Sequence, residues 1–350
     1  MRRARARVVR QKLPPPVLKG ERFTQTGRAC GPGKGLGMRI LITGGAGYVG
    51  TVLAEQLLAR GHRVRCLDNL LYGRDPLRPL LQGRRFEFCE GSVEDGSLVR
   101  SALQGCTAVV HLAGLANDGS CDRDPGRARR VNVQAAADLA ARARAAGCER
   151  LINASSCSVY GYSDGNALTE AARPKPVSLY GVLKLEAEAA IDAAGGPDLI
   201  VAHLRQATLF GPSPRMRWDL AVNAMTRDAC LRGRIQVHGG GLQWRPFLHV
   251  HDAAAAFVAA LDAPPGALVG RVFNVGSGAE NYRIADLAAL VQTAVPSARI
   301  ERPTGAVDRR SYRVDFRRVG GALDWRPWYT VRQGIAEIRA LLQMAPAALP

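Results

Sequence analysis

The stretch RILITGGAGYVGTVLAEQLL, residues 39–58, decides how the rest of the chain is read. Its first five residues are a short run of β-formers and aliphatics. Its last eleven space their apolar residues as one face of a helix does. Gly44, Gly47 and Gly50 stand between the two. Glycines in such a turn let the backbone fold tightly and approach a ligand, with the N–H groups of the helix start aimed at an anion. A bare glycine pattern is weak support. Here strand, turn and helix come in the required order, and the next apolar run, HRVRCLD (62–68), ends on Asp68. An acid at that place accepts hydrogen bonds from the hydroxyls of an adenosine ribose and repels a 2′-phosphate. The reading is a dinucleotide site that favours NAD over NADP. Arg65 is close by, but strand alternation turns it to the opposite face.

Working outward, FEFCEG (86–91), TAVVHLAG (107–114), ERLINASS (149–156) and DLIVAHLRQA (198–207) read as further strands. Helical spacing runs over 48–60, closed by Gly61, over the Ala-rich 129–146, closed by Gly147, and over 178–194. Strands alternating with helices predict an α/β fold, a doubly wound parallel sheet of the Rossmann type over residues 38–210. The turn-rich GPSPRMRW (211–218) changes the texture. Beyond it, helices near 251–262 and 283–294 flank a strand RVFNV (271–275). They predict a smaller C-terminal α/β lobe, residues 211–345, that lies over the carboxyl ends of the strands, binds substrate and interleaves with the first domain. No internal repeat is visible.

The 350 residues are 47% apolar but only 6% aromatic, so the core must be built from Ala, Val and Leu. The net charge of +18 resembles that of a nucleic-acid binder, yet residues 1–37 hold ten Lys or Arg and a single acid, about half the excess. That segment is rich in Arg, Pro and Gly without apolar periodicity. It predicts a disordered basic extension, dispensable for activity, with Met38 as an alternative start directly before the first strand. The mildly basic remainder suits anionic, phosphorylated substrates, and no specific nucleic-acid partner is expected. No apolar run approaches a bilayer span, which predicts no membrane partner. The eight cysteines include no C-x-x-C pair and the six histidines are scattered. Neither a disulfide framework nor a metal site is expected, and a reducing cytoplasm is the expected location.

The reactive residues come next. Tyr180 and Lys184 form Y-x-x-x-K, a spacing that puts both on one helix face. A phenol with a pKa near ~10 is a poor base at neutral pH. A neighbouring ammonium, together with a positive nicotinamide ring, favours the phenolate. Alone, such a pair is as common on any helix surface. It gains weight from SSCSVYG (155–161), which ends the fifth strand at the sheet edge where α/β sites form. A hydroxyl at Ser156 can reach the same substrate oxygen as Tyr180, giving a proton relay for hydride transfer at a carbinol carbon.

With these residues in hand, the chain resembles the extended short-chain dehydrogenases/reductases that act on nucleotide sugars, the NAD-dependent epimerase/dehydratase family. The resemblance spans about residues 39–340. It rests on TGGAGYVG (43–50), Asp68-Asn69, HLAG (111–114), Asn132, SSCSVYG, YGVLK (180–184), LRQATLFGPSPR (204–215), WRPFLHVHD (244–252) and FNVGSG (273–278). It implies that Ser156, Tyr180 and Lys184 are catalytic. It implies NAD contacts at Gly44, Gly47, Tyr48, Val49, Gly50, Asp68, Asn69, Ser92, Val93, Ala113, Gly114 and Asn132, besides Tyr180 and Lys184. The family often has Asp where this chain has Ser92. Substrate contacts are implied at Ser156, Asn223, Arg245 and Arg310, with Arg309 as the alternative to Arg310. A homodimer through helices 129–146 and 178–194 is implied as well.

Dehydratases of the family resemble T-D-E before V-Y, where Asp and Glu supply acid and base for elimination. Here those positions are Cys157 and Ser158, and neither is a carboxylic acid. The serine pattern resembles 4-epimerases, which implies NAD-dependent epimerisation at C4 through a transient 4-keto sugar. A nucleotide-sugar 4-ketoreductase, dehydrogenase or dehydratase of the same family is the alternative, and a non-catalytic dinucleotide-binding protein the alternative of another class. Cys157 has two readings, an acid/base at a neighbouring carbon or a packed, inert thiol. Tyr160 and Trp218 read as packing residues, and Asp252 as a helix N-cap.

Overall fold

A computed structural model of the chain describes residues 37–268, 272–305 and 308–344. The expectations for residues 1–37 therefore lie, Gly37 aside, outside the described residues. Along the chain, β1 (Arg39–Thr43) leads through the glycine turn into α1 (Tyr48–Ala59), then β2 (Arg63–Asp68), β3 (Phe86–Glu90), α2 (Gly96–Leu103) and β4 (Ala108–His111). Two short helices follow, α3 (Asp118–Arg123) and α4 (Pro125–Arg129). After a π-helical turn over Arg130–Gln134 come α5 (Ala135–Ala145), β5 (Arg150–Ser156), β6 (Tyr162–Leu168), α6 (Leu179–Gly195) and β7 (Ile200–Gln206). Then come β8 (Thr208–Phe210), α7 (Ala221–Arg232), β9 (Arg234–Gln236), β10 (Trp244–His249), α8 (Val250–Asp262) and β11 (Val272–Val275). The chain continues with β12 (Asn281–Arg283), α9 (Ile284–Ala294), β13 (Arg299–Glu301), β14 (Ser311–Val314), α10 (Arg317–Leu323) and α11 (Val331–Met344).

Seven parallel strands form the main sheet in the order β11-β7-β5-β4-β1-β2-β3. Both faces are covered, so the strands are nearly continuous apolar runs; β4, AVVH, is buried throughout. Alternation sends Ile40, Ile42, Val64, Cys66, Val110 and Ile152 to the face packed by α1 and α8. Leu41, Leu67, Val109, Leu151 and Val201 go to the other face, under α2, α5 and α6. Strand order reverses between β1 and β4, which opens the crevice where such sheets bind ligands. A third apolar core belongs to the C-terminal half. There Phe210, Val222, Phe247, Leu287, Val291 and Ile335 join α7, α9 and α11. Trp218 packs against this core.

Three local differences from the sequence reading have physical causes. The expected single helix 129–146 is interrupted by the π turn, which inserts an extra residue per turn and buries Asn132. Asp252 is not the cap of α8. His249 caps it, its Nδ1 accepting from His251 N–H at 3.2 Å. Asp252 sits in the first turn and accepts the N–H groups of Trp328 and Tyr329 at 3.0 and 2.9 Å, anchoring the approach to α11. Helix α7, strand β10 and the small sheets of the lobe have short or mixed apolar patterns and were not legible as elements, whereas α11 carries a helical repeat at Val331, Ile335, Ile338 and Leu342 that the sequence reading did not use.

Candidate active site

A cleft of about 490 Å³ lies over the carboxyl ends of the strands, bounded on the other side by the C-terminal lobe. Its floor is the glycine turn. Gly44 has φ +73°, and a Cβ there would stand 2.7 Å from the Ala113 nitrogen, so the turn after β1 and the loop after β4 touch backbone to backbone. A Cβ on Gly50 would stand 2.5 Å from the Gly44 oxygen, which lets α1 start directly against the turn. No side chain caps α1, so the N–H groups at its start are left to a ligand. These features fit a dinucleotide pyrophosphate.

Asp68 closes β2 beside this cradle. Its carboxylate accepts the N–H of Ala46 at 3.0 Å and of Leu70 at 2.8 Å. Burial lifts its pKa, while those two N–H groups and Arg215 pull it down. Asn69, Ser92, Val93, Ala113 and Gly114 line the same end of the cleft, with Tyr48 and Val49. Arg65 points away, onto Glu87 and the carbonyls of Ala102 and Gln104. Asn132 stands behind the cleft wall: its amide accepts from Leu115 N–H at 2.8 Å and donates to Leu115 O at 3.1 Å, pinning the loop after β4.

The serines and the Tyr-Lys pair meet at the other end. Ser156, Ser158, Tyr180 and Lys184 all line the cleft. Ser156 Oγ accepts Ser158 N–H at 3.1 Å and donates to Ser158 Oγ at 3.0 Å. Burial pushes the Tyr180 phenol up to about 12, opposed by its hydrogen bond to Ser156 and by the charge of Arg217. From the sequence, that opposing role was expected of Lys184. Lys184 instead donates to the Ala154 carbonyl at 2.7 Å, with Nζ 5.9 Å from the Tyr180 ring centre. Burial also pushes Lys184 down to about 8. Cys157 turns the other way: it is fully buried, and its thiol, pushed up by burial, donates to the Arg205 carbonyl at 3.1 Å.

The lobe contributes arginines. Arg215, Arg217, Arg245 and Arg310 line the cleft. Arg245 Nη2 donates to Asp308 Oδ2 at 2.7 Å, and Arg310 holds the same carboxylate through Nε and Nη2, both at 2.9 Å. Arg310 also reaches across to Asp118 at the start of α3. Arg309 lines a neighbouring cavity and not the main cleft. Asn223 is fully buried behind the wall. Its Oδ1 accepts Gly211 N–H at 3.0 Å, and its Nδ2 donates to Arg217 O at 2.9 Å and Tyr48 OH at 3.2 Å. It thereby ties the 211–217 loop to the glycine turn, and the placement offers no direct substrate contact. Arg215 and Arg217 were present in GPSPRMRW but read only as turn. They lie in irregular backbone, where no strand or helix period signals which way a side chain faces. Arg217 is clamped by Asp219, Nε to Oδ1 at 2.7 Å. No group of described residues has the His, Cys, Asp and Glu clustering that holds a metal ion. Among the described residues no helix is long and apolar enough to cross a membrane.

A family model described as the NAD dependent epimerase/dehydratase family matches residues 40–276. The chain belongs to this family. It is an NAD-dependent enzyme of the nucleotide-sugar epimerase group, with the extended short-chain dehydrogenase/reductase fold. It is 32% identical over 306 residues to a UDP-glucose 4-epimerase of Mycolicibacterium smegmatis, covering 86% of this chain and 97% of that one. Among solved structures it is similar to MoeE5 in complex with UDP-glucuronic acid and NAD, with a TM-score of 0.77 and 27% identity, covering 88% of this chain and 99% of the other. It is equally similar to TunA, an NAD-dependent NDP-hexosamine 5,6-dehydratase, with a TM-score of 0.77 and 27% identity over 88% of this chain and 98% of that one. The family thus includes isomerisation and elimination on nucleotide sugars.

Proposed function

We propose that the chain is a nucleotide-sugar epimerase acting at C4 through a transient 4-keto sugar. The observation that carries this reading is the meeting of Ser156 and Tyr180 in the cleft beside the glycine cradle, with Lys184 one turn along the helix and no carboxylate at positions 157 and 158. Bound NAD would supply the acceptor and donor of the transferred hydride. Tyr180 takes the proton from the sugar 4-hydroxyl and returns it, and Ser156 holds the same oxygen. The charge of Arg217 and the hydrogen bond to Ser156 favour the phenolate. Burial works against that charge, pushing the phenol up to about 12. The 4-keto sugar turns in the cleft and is reduced on its other face.

In this reading residues 38–210 bind NAD and residues 211–345 bind the sugar nucleotide. Asp68 and Asn69 hold the adenosine ribose, and Ser92 and Val93 flank the adenine. Arg245 and Arg310 exchange Asp308 for the diphosphate of the substrate, a geometry that suits guanidinium forks. UDP-sugars are the first candidates, since the similar protein of Mycolicibacterium smegmatis is a UDP-glucose 4-epimerase and MoeE5 is in complex with UDP-glucuronic acid. The enzyme would work as a homodimer in the cytoplasm, with α5 and α6 at the subunit contact. The test is incubation with NAD and a panel of UDP-, dTDP-, GDP- and CDP-sugars, followed by chromatography and mass. An isomer of unchanged mass without net NADH supports the reading. Loss of water, or stoichiometric NADH, replaces it with a dehydratase or a dehydrogenase.

A further inference from the structure

Beneath the reactive serines lies a buried ion pair that the proposed chemistry leaves unused. Glu188 on α6 and Arg205 on β7 are each 5% exposed. Arg205 grips both carboxylate oxygens, Nε to Oε1 at 2.9 Å and Nη2 to Oε2 at 2.6 Å. Ser155 Oγ donates to the same Oε1. On its other side Arg205 donates to the Tyr160 hydroxyl at 3.1 Å, which donates in turn to Asn274 Oδ1 on β11 at 2.7 Å. Tyr160 is therefore a polar link and not only a packing residue. One network joins α6, β5, β7, β11 and the turn after β5.

Burying two charges costs desolvation that their attraction barely repays, so stability is a poor reason for the pair. Its position is informative. Ser155 immediately precedes Ser156. Glu188 follows Tyr180 and Lys184 at successive four-residue steps, on the same face of α6. Lys184 donates to Ala154, the residue before Ser155. The pair therefore clasps the strand end that carries Ser156 to the helix that carries Tyr180 and Lys184.

We propose that Glu188 and Arg205 are positioning residues for the reaction, locking the end of β5 to α6 so that Ser156, Tyr180 and Lys184 meet. The kinetic part of this rests on the epimerase reading. A second consequence follows from charge. The groups that face Lys184 are Tyr180 and Glu188 on its own helix, Cys121 on α3 and His111 at the end of β4. Burial pushes the Cys121 thiol up to about 11 and His111 down to about 3, so both are neutral near pH 7. Tyr180, held up at about 12, is neutral too. Glu188 is then the charge that opposes burial and favours the ammonium form of Lys184.

The test uses the NAD-loaded enzyme and three variants, Glu188→Gln, Glu188→Asp and Ser155→Ala. Competitive acetylation with mass-spectrometric readout follows the protonation of Lys184 against pH and needs no turnover. In Glu188→Gln the Lys184 midpoint should fall by about one pH unit, and Glu188→Asp should restore most of it. The alkaline limb of kcat should move with that midpoint, while kcat drops about tenfold and KM stays within about threefold. Ser155→Ala should lower kcat about tenfold, through misplacement of Ser156. An unmoved Lys184 midpoint in folded Glu188→Gln, or wild-type kcat in Ser155→Ala, overturns the proposal. If Glu188→Gln does not fold, Ser155→Ala decides. If the wild-type enzyme turns over no nucleotide sugar, the epimerase reading fails, and the acetylation midpoint still judges the proposal.

Discussion

Replacing Asp68 by Ala tests the cofactor end of the cleft with a magnitude that follows from its geometry. A carboxylate offers about four lone-pair positions. Two are taken, by Ala46 N–H at 3.0 Å and Leu70 N–H at 2.8 Å, and the rest face the cleft. Two charge-assisted bonds to ribose hydroxyls, at about 1.5 kcal/mol each, amount to ~3 kcal/mol, or about 150-fold in NAD affinity. A 2′-phosphate placed there would meet the carboxylate at about 5 Å. Coulomb repulsion at an effective dielectric of 20 gives ~3 kcal/mol, which solvent at this half-exposed site reduces to ~2 kcal/mol. Asp68→Ala removes that repulsion and frees two backbone N–H groups. It also removes the attraction between Asp68 and Arg215, whose guanidinium stacks 3.8 Å over the Tyr72 ring centre and keeps Asp219 as an anionic neighbour. The bond to the 3′-hydroxyl is common to both dinucleotides, so the NAD-to-NADP affinity ratio should fall by ~3.5 kcal/mol, a few hundredfold. Titration calorimetry with each dinucleotide measures it, with a thermal melt to confirm folding. A folded variant that binds NAD within threefold of wild type, with an unmoved ratio, would refute the assignment of Asp68 to the ribose.

Other substitutions probe the remaining parts. Tyr180→Phe should keep NAD binding and lower kcat by about 10²–10⁴-fold, the usual worth of a general acid–base group; turnover within tenfold of wild type would remove Tyr180 from the reaction. Gly50→Ala forces a Cβ to 2.5 Å from the Gly44 oxygen and 2.6 Å from the Gly45 Cα, backbone that has no room to yield. It should cost about 1–3 kcal/mol of stability and abolish NAD binding, as read by melting and titration; a stable variant with normal affinity would contradict the cradle. Cys157→Ala deletes a thiol sealed off from the cleft, so turnover should stay within twofold while stability drops by about 1 kcal/mol. A collapse in kcat would return Cys157 to the chemistry.

The dinucleotide half was legible because its signals are local. The glycines, the strand before them and the acid one strand later each answer a backbone requirement that only a few residues meet, and the structure places them at one crevice. The Y-x-x-x-K spacing was legible for the same reason, since one helix fixes both side chains. What the sequence concealed is what depends on distant partners. Lys184 turns to the Ala154 carbonyl, and Tyr180 is governed first by burial; neither follows from a four-residue spacing. Asn223 and Asn132 look like ligand contacts in a motif but hold loops from behind, because their amide partners lie elsewhere in the chain. The Glu188–Arg205 pair joins a helix to a strand 17 residues on, and nothing in either segment announces the other. Most of the lobe escaped because its strands are three to six residues long and lack a clear period.

In the proposed reaction bound NAD and Tyr180 would pass a hydride and a proton to and from one sugar carbinol. The most direct measurement mixes the NAD-loaded enzyme with UDP-glucose and the other nucleotide sugars in a stopped-flow instrument, follows reduced nicotinamide, and identifies the sugar released. A transient reduced cofactor that decays to NAD as the C4 isomer appears is expected, and no transient with Tyr180→Phe. Isomer formation without any reduced nicotinamide, or an equal transient in Tyr180→Phe, would contradict it.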